Sequence, residues 1–225
     1  LQFILFTCFA QQYSYRHYTI FDGLPQNQVT RVFQRSDGVF FFGTKNEIGG
    51  FDGNRFKDFT DKHISRSNVE GFFEISSQFF FYTRKALVRF ESGKSYLFKD
   101  FKGIGVHTIR YDARRKEILV LSDSSLHIYK PGHEVFSYLN DDLGWIVDAE
   151  RIPGSNDLLL SSGIGIYRLD ENKNLTPLIS GQGNFMVTIG KKIFLIVVRE
   201  NSLPEEYGCI YSYDGNEFRK IYAFR

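Results

Sequence analysis

The 225-residue chain lacks the charge patterns on which two large classes of protein depend. It has no long run of like charge, and its 28 Lys and Arg nearly balance its 26 Asp and Glu, which leaves a net charge of +2. It therefore offers neither the basic surface typical of nucleic-acid binding nor a polybasic segment for membrane contact. It has only two cysteines, Cys8 and Cys209, and a domain of this size folds without a disulfide. We expect Cys209 to be a small buried hydrophobe.

The sequence also lacks the common catalytic and metal-binding motifs. None of its five histidines pairs with a second His or a Cys at the spacing of metal ligands. It has no Gly-x-Ser-x-Gly elbow. The segment SGKS, residues 92–95, lacks the upstream glycine of a phosphate-binding loop and precedes a strand, so we interpret it as a hairpin turn. The sequence thus predicts no catalytic residue, no metal site and no cofactor.

Helix-length segments with apolar residues three and four apart are missing too, whereas aromatic residues are abundant. The chain is 17% aromatic, with 24 Phe and 13 Tyr. Aromatic side chains favour strands because they fit a pleated surface. Turn pairs such as Asp52-Gly53 and Asp214-Gly215 separate the short apolar runs. These features predict an all-β protein.

Two sets of residues recur about every 40 residues, which indicates an internal repeat. The first set is aromatic and comprises Phe51, Phe90, Tyr129, Tyr167 and Tyr213. The second set holds small residues that end the second strand of a unit and comprises Gly43, Thr83, Ser122 and Ser161. The five units lie near residues 27–65, 67–103, 106–141, 145–183 and 184–224.

Each unit has room for four short strands. In the first unit the predicted strands are Val29 to Gln34, Val39 to Gly43, Ile48 to Asp52 and Phe56 to Phe59. Four strands in a repeat of about 40 residues are typical of a β-propeller blade. An antiparallel sandwich is the alternative, but it would not need equal spacing.

The segment YRHYTIFD, residues 15–22, resembles the outer strand of the first unit. Five complete units and a spare outer strand together indicate an open arc of a larger, seven-bladed propeller. A closed ring of five blades is the alternative. The run Leu1 to Ala10 has the length and small-residue ending of a signal-peptide remnant, so we expect the mature chain to begin near Gln11. A buried first strand is the other interpretation of that run.

Residues 18–60 resemble the two-component regulator propeller repeat. The residues that carry the resemblance are Leu24, Pro25, Asn27, Val29, Gly38, Phe41, Gly43, Thr44, Phe51, Asp52, Gly53 and Phe56. The resemblance implies a periplasmic sensor region of a bacterial histidine kinase or hybrid two-component protein that is anchored in the inner membrane. Its implied partners are further blades, downstream signalling domains and an oligosaccharide ligand, and homodimerisation would occur through the full-length receptor. Any kinase activity would lie outside this chain.

Connections alternate between the two ends of up-and-down strands, so two sets of loops should share one face. These are the connections that enter each leading strand and those between the second and third strands. The candidate ligand-binding residues on that face are Lys45, Asn46, Arg66, Arg84, His107, Asp123, Trp145 and Arg199. Their basic members would favour an anionic ligand, or they are solvated surface charge.

Trp145 is the only tryptophan, and it has two interpretations. It either stacks on a sugar ring or fills the core between two blades. A propeller-fold glycan hydrolase or lyase, or a protein-interaction scaffold, are the alternatives to a sensor. A hydrolase would need paired carboxylates converging on one face, and the candidate residues are mostly basic.

Overall fold

The computed structural model describes residues 15–45, 47–59, 67–101, 103–130, 133–139, 143–198 and 208–224. Twenty strands form five four-stranded antiparallel sheets within these ranges, and each sheet keeps its strands in chain order. The predicted β-propeller architecture is confirmed, and the sandwich alternative is wrong. The signal-peptide interpretation of Leu1 to Ala10, and Cys8 with it, lies outside the described residues.

The strands of the five sheets have the following bounds. The first sheet comprises β1 (Val29–Gln34), β2 (Phe40–Thr44), β3 (Ile48–Phe51) and β4 (Phe56–Asp58). The second comprises β5 (Val69–Ile75), β6 (Gln78–Thr83), β7 (Ala86–Glu91) and β8 (Lys94–Asp100). The third comprises β9 (Val106–Asp112), β10 (Glu117–Ser122), β11 (Ser125–Lys130) and β12 (His133–Leu139). The fourth comprises β13 (Ile146–Arg151), β14 (Leu158–Ser162), β15 (Gly165–Leu169) and β16 (Leu175–Ser180). The fifth comprises β17 (Gln182–Ile189), β18 (Lys192–Val198), β19 (Gly208–Tyr213) and β20 (Phe218–Phe224).

The second strand of each inner sheet is apolar on both faces because a neighbouring sheet covers each face. In β6 every residue after Gln78 is buried, and β14 is buried throughout. In β6, Phe79 and Phe81 pack toward the first sheet, whereas Phe80 and Tyr82 pack toward the third. Continuous apolar runs of this kind are expected of strands that are covered on both sides.

The five sheets form an open arc. Buried apolar clusters join the first sheet to the second, the second to the third, the third to the fourth and the fourth to the fifth. Among the described residues, no comparable cluster joins the fifth sheet to the first, and the extensive strand contacts between sheets follow the same chain order. The sheets at the two ends therefore each have one face without a neighbouring sheet.

The segment before β1 covers part of the free face of the first sheet. The Tyr18 ring lies 5.2 Å from Phe51 and 5.3 Å from Phe56, and Pro25 lies against Gly49. The outer strand predicted for residues 15–22 is wrong over the described residues, since Ile20–Asp22 is a 3-10 turn.

A local capping box explains why this segment turns instead of pairing as a strand. The Asp22 carboxylate accepts hydrogen bonds from the Thr19 N–H at 2.7 Å and the Thr19 hydroxyl at 3.0 Å. Thr19 Oγ1 in turn accepts from the Phe21 N–H. These bonds lower the pKa of Asp22. They also satisfy backbone N–H groups that would otherwise be available to pair with a neighbouring strand.

Strand register corrects both repeat sets. Tyr167 pairs with Leu160, whereas Leu169 pairs with Leu158 in the position that Phe90 takes opposite Phe79. In the fourth unit, Leu169 and not Tyr167 therefore occupies the position that the other units fill with an aromatic residue. The residues that end the second strands of the first four sheets are Thr44, Thr83, Ser122 and Ser162, not Gly43 and Ser161. The shared property is a hydroxyl group and not small size.

The predicted hairpin turns are present where the structure describes them. Asp52 accepts from the backbone N–H groups of Asn54 and Arg55, and Gly53 has a φ of 96°. These backbone hydrogen bonds lower the pKa of Asp52. The SGKS segment is likewise a turn between β7 and β8, with Gly93 at a φ of 76°. Cys209 is buried, as expected.

Candidate functional site

The two sets of connections lie on one face of the arc, as predicted. Backbone hydrogen bonds between neighbouring sheets join them. The Val106 N–H donates to the Arg84 carbonyl at 3.0 Å, and the Ile146 N–H donates to the Asp123 carbonyl at 3.1 Å. Each bond joins the start of one leading strand to the second connection of the preceding sheet. We call the face of the arc that holds these connections the top face. The opposite face, which holds turns such as Asp52–Arg55, is the bottom face.

The hydroxyl groups that end the second strands hold the top-face connections in tight turns. Thr83 Oγ1 accepts from the N–H groups of Lys85 and Ala86, each at 3.2 Å. Ser122 and Ser162 make the equivalent bonds in the third and fourth sheets. Such bonds fix the backbone on both sides of the loop tip. The tip residues Arg84 and Asp123 are therefore held on a rigid support.

Three of the candidate residues form one cluster on the top face. An Arg84 guanidinium nitrogen lies 3.5 Å from an Asp123 carboxylate oxygen, and His107 Nε2 lies 4.0 Å from the other oxygen. The Arg84 and Asp123 side chains are more than half exposed, whereas His107 is mostly covered. His107 Nδ1 is 3.0 Å from the Thr108 hydroxyl. The carboxylate of Asp123 thus partly neutralises the basic character that the sequence suggested.

Trp145 lies on the top face beside this cluster and is 51% exposed. This exposure excludes the alternative that it fills the core between blades. Its indole ring lies against Gly163, where a Cβ atom would come within 3.3 Å of two ring atoms. The Gly163 N–H also donates to the Trp145 carbonyl at 2.9 Å. The ring is therefore supported on one side by backbone and open to solvent on the other.

The remaining candidates are less well defined. Lys45 is exposed on the top face and forms an isolated bridge with Asn68 at the boundary between the first and second sheets. Asn46, Arg66 and Arg199 lie outside the described residues. A ligand-binding role for the top-face set stays a prediction.

A polar network along the leading strands was not predicted from the sequence. Arg110 Nε donates to the buried Asp148 carboxylate at 3.0 Å, and Arg110 Nη2 donates to the Met186 carbonyl at 3.0 Å. Asp148 also accepts from the N–H groups of Met186 and Ala149, each at 2.9 Å. The partners come from three different sheets, so no local motif reveals them. Charged residues at equivalent places in successive leading strands were the available signal.

The network continues toward the bottom face through Glu150. Glu150 accepts from the Thr188 hydroxyl at 3.0 Å and lies 3.9 Å from Arg110. Burial raises the pKa of Glu150, and the charge of Arg110 opposes that rise. Arg31 and Glu70 form a similar pair at 3.8 Å between the first two sheets. These contacts tie neighbouring leading strands together along the inner side of the arc.

The described residues contain no group of three or more His, Cys, Asp or Glu that could hold a metal ion. Within the same ranges, no helix has the length and apolar character to cross a membrane. Cys209 is buried in the cluster between the fourth and fifth sheets.

No family model and no curated protein matches the chain, whereas solved structures do. An extracellular domain of a putative hybrid two-component system from B. thetaiotaomicron is 12% identical at a TM-score of 0.68, over 89% of this chain and 29% of that chain. A second such domain from the same organism is 14% identical at a TM-score of 0.56, over 89% and 34%. Virginiamycin B lyase from Staphylococcus aureus is 16% identical at a TM-score of 0.63, over 88% and 71%.

These similarities establish the fold, and sequence identities this low carry nothing finer. The chain spans about a third or less of the two-component extracellular domains that it resembles. The similar structures include both extracellular domains of putative two-component systems and a lyase, so the fold by itself does not separate binding from catalysis.

Proposed function

We propose that this chain is a non-catalytic, ligand-binding part of an extracytoplasmic sensor in a two-component signalling protein. The observation that carries the proposal is the top face, where a half-exposed tryptophan stands on a rigid backbone support beside a fixed Arg84–Asp123 pair. Similarity to extracellular domains of hybrid two-component systems supports the signalling context. The motif over residues 18–60 points the same way.

The proposed ligand is an oligosaccharide fragment. An exposed indole ring with one free side offers a flat apolar surface on which a sugar ring can stack. Arg84 and Lys45 supply cations on the same face, which would favour a uronic acid or sulfated sugar. Asp123, which forms an ion pair with Arg84, would accept hydrogen bonds from sugar hydroxyls.

The proposal includes the surroundings of the chain. Further blades and downstream signalling domains of the same protein would be its partners, the ligand would be met in the periplasm, and the full-length protein would be anchored in the inner membrane. Binding would be transmitted to a histidine kinase outside these residues. Homodimerisation would occur through the full-length receptor.

The enzyme alternative rests on the lyase among the similar structures. Among the described candidates on the top face, Asp123 is the only carboxylate, and it is paired with Arg84. Paired carboxylates at the spacing of a hydrolase are therefore missing from that set. A protein-interaction scaffold would use the same face without small-molecule binding.

Substituting Trp145 by alanine should weaken oligosaccharide binding by about 1 kcal/mol, because it removes the stacking surface. Arg84→Ala should weaken an acidic oligosaccharide more than its neutral counterpart, and raised salt should shrink the difference. Isothermal titration calorimetry of the intact protein, with acidic and neutral oligosaccharides of equal length, measures both effects.

Asp123→Ala is the matched control, because it removes the anion that neutralises Arg84. This variant should prefer the acidic oligosaccharide over its neutral counterpart more strongly than wild type does, which is opposite in sign to the effect of Arg84→Ala on that preference. Unchanged affinity in all three variants, with unchanged circular dichroism, would place the binding site off the top face. Turnover of the oligosaccharide by the wild-type protein would contradict the non-catalytic assignment.

A further inference from the structure

A second cavity lies at the bottom face, away from the proposed oligosaccharide site. It is a groove of about 770 Å³ between the second and third sheets. Its mouth is bounded by the turns after β5 and β9, which lie on the face opposite Arg84 and Asp123. A volume of this size falls in the range of small-molecule sites, about 300–1,000 Å³.

The groove exists because an aromatic position of the repeat is packed differently here. In the second sheet Phe90 is nearly buried and packs against the first sheet, with ring centroids 5.9 Å from Phe41 and 5.0 Å from Phe59. The equivalent residue of the third sheet is Tyr129, which is only partly buried and lines the groove. The corresponding space in front of Tyr129 is therefore left open.

The walls of the groove are apolar. Phe80 and Leu87 of the second sheet and Val120 of the third form the buried floor of the groove, each at most 2% exposed, and the partly buried Ile118 extends the wall. Phe98 stands at the side of the groove, 52% exposed, with its ring edge-on to Phe80 at 5.4 Å. These side chains form a hydrocarbon and aromatic lining of the kind that surrounds the body of a small ligand.

The charges around the groove are mainly positive. Lys99, Lys116 and Lys130 line it, and Glu134 is its only acidic residue among the described lining. Lys99 Nζ lies 5.2 Å from the centre of the Tyr129 ring. Lys130 is 3.6 Å from Glu117, whereas no ion pair joins Lys99 or Lys116 to an acid in the described parts of the chain. Lys116 thus remains for a ligand, together with the part of the Lys99 charge that Glu134 does not offset.

The acidic residue of the groove already has partners. Glu134 lies 3.3 Å from His127 Nδ1 and accepts a hydrogen bond from the Tyr129 hydroxyl. Burial, together with this hydrogen bond, raises the pKa of Tyr129, so the hydroxyl stays a neutral donor. The carboxylate is therefore satisfied within the third sheet, and the charge of Lys99 also acts on it, so Lys116 is the lysine of the groove without an acidic partner among the described residues.

We infer that this groove binds a small amphipathic organic anion. Its aromatic or aliphatic body would lie against Phe98, Ile118 and Tyr129, and its carboxylate or sulfonate would meet Lys116 and Lys99. The inference is independent of the oligosaccharide site, because the two sites use different residues.

The test uses two fluorescent probes that share one ring system. The first is 8-anilinonaphthalene-1-sulfonate, and the second is N-phenyl-1-naphthylamine, which lacks the sulfonate. Titrated into the intact protein, the double variant K99A/K116A should bind the sulfonate about fivefold more weakly, the size of a favourable exposed ion pair, and the neutral probe as tightly as wild type. Phe98→Ala should weaken both probes.

Phe185→Ala is the control for probe bound elsewhere, since Phe185 is an exposed aromatic on the fifth sheet. It should leave the K99A/K116A effect and the Phe98→Ala effect unchanged. Equal loss of both probes in K99A/K116A would overturn the anion assignment. Unchanged binding of both probes in Phe98→Ala and K99A/K116A would overturn the groove as a site.

Discussion

Substituting Asp148 by alanine should lower the free energy of unfolding by about 3 kcal/mol, which is the largest effect we expect from a single substitution in this chain. The Asp148 side chain is fully buried and accepts hydrogen bonds from Arg110, Met186 and Ala149. Removing it leaves the guanidinium of Arg110 and two backbone N–H groups without their acceptor. The cost of such unpaired groups exceeds the value of the pair itself.

Urea denaturation followed by circular dichroism measures the change. The matched control is Asp123→Ala, which removes an equally charged partner of an arginine at the exposed top face and should cost no more than about 1 kcal/mol. If both variants lose the same small amount, the Arg110–Asp148 network does not hold the third, fourth and fifth sheets together. Arg110→Met removes the cation that Asp148→Ala leaves unpaired. The double variant should therefore lose less free energy of unfolding than the sum of the two single losses.

The second large effect concerns the free face of the fifth sheet. Strand register places Val187, Phe194, Ile196, Ile210 and Tyr222 on the face directed away from the fourth sheet. Val187 is 51% and Tyr222 60% exposed in the described structure. Apolar faces of this extent drive association when nothing covers them. Residues 11–225 expressed alone should therefore self-associate as concentration rises.

The double variant V187K/Y222K should shift this association toward monomer in sedimentation velocity, because two cations would have to be buried at the interface. Tyr96→Lys is the matched control, since Tyr96 is a similarly exposed aromatic on the outer strand of the second sheet. It should leave the association unchanged. A monodisperse wild-type monomer with one cooperative unfolding transition would instead contradict the prediction that the free face of the fifth sheet drives association.

The sequence predicts the local architecture well where turn chemistry and apolar patterning agree. The first strand, Val29–Gln34, has its predicted bounds, because a turn at Ser36-Asp37-Gly38 ends the apolar alternation. The strand predicted for residues 15–22 is wrong because Thr19 and Asp22 form a capping box. These local hydrogen bonds favour a 3-10 turn over the strand that the apolar pattern indicated. Tyr167 was misplaced by two residues because spacing alone does not fix strand register.

The candidate site could be predicted in outline only. Alternation of connections places Arg84, His107 and Asp123 on one face, as the structure shows. Their pairing depends on side-chain geometry that spacing does not encode. The Arg110–Asp148 bond spans 38 residues and the bond from Arg110 to Met186 spans 76, so both arise only when the sheets assemble. The groove beside Tyr129 depends likewise on packing between two sheets.

The central claim is that ligand binding occurs at the top face, and amide hydrogen exchange of the intact protein tests it most directly. With a bound acidic oligosaccharide, we expect slower exchange at the loop tips around Arg84 and Ser124 and at Trp145, because a bound ligand suppresses local opening there. Exchange in the bottom-face turn Asp52–Arg55 should stay unchanged. Protection confined to the bottom-face turns, or equal protection at both ends, would contradict the account.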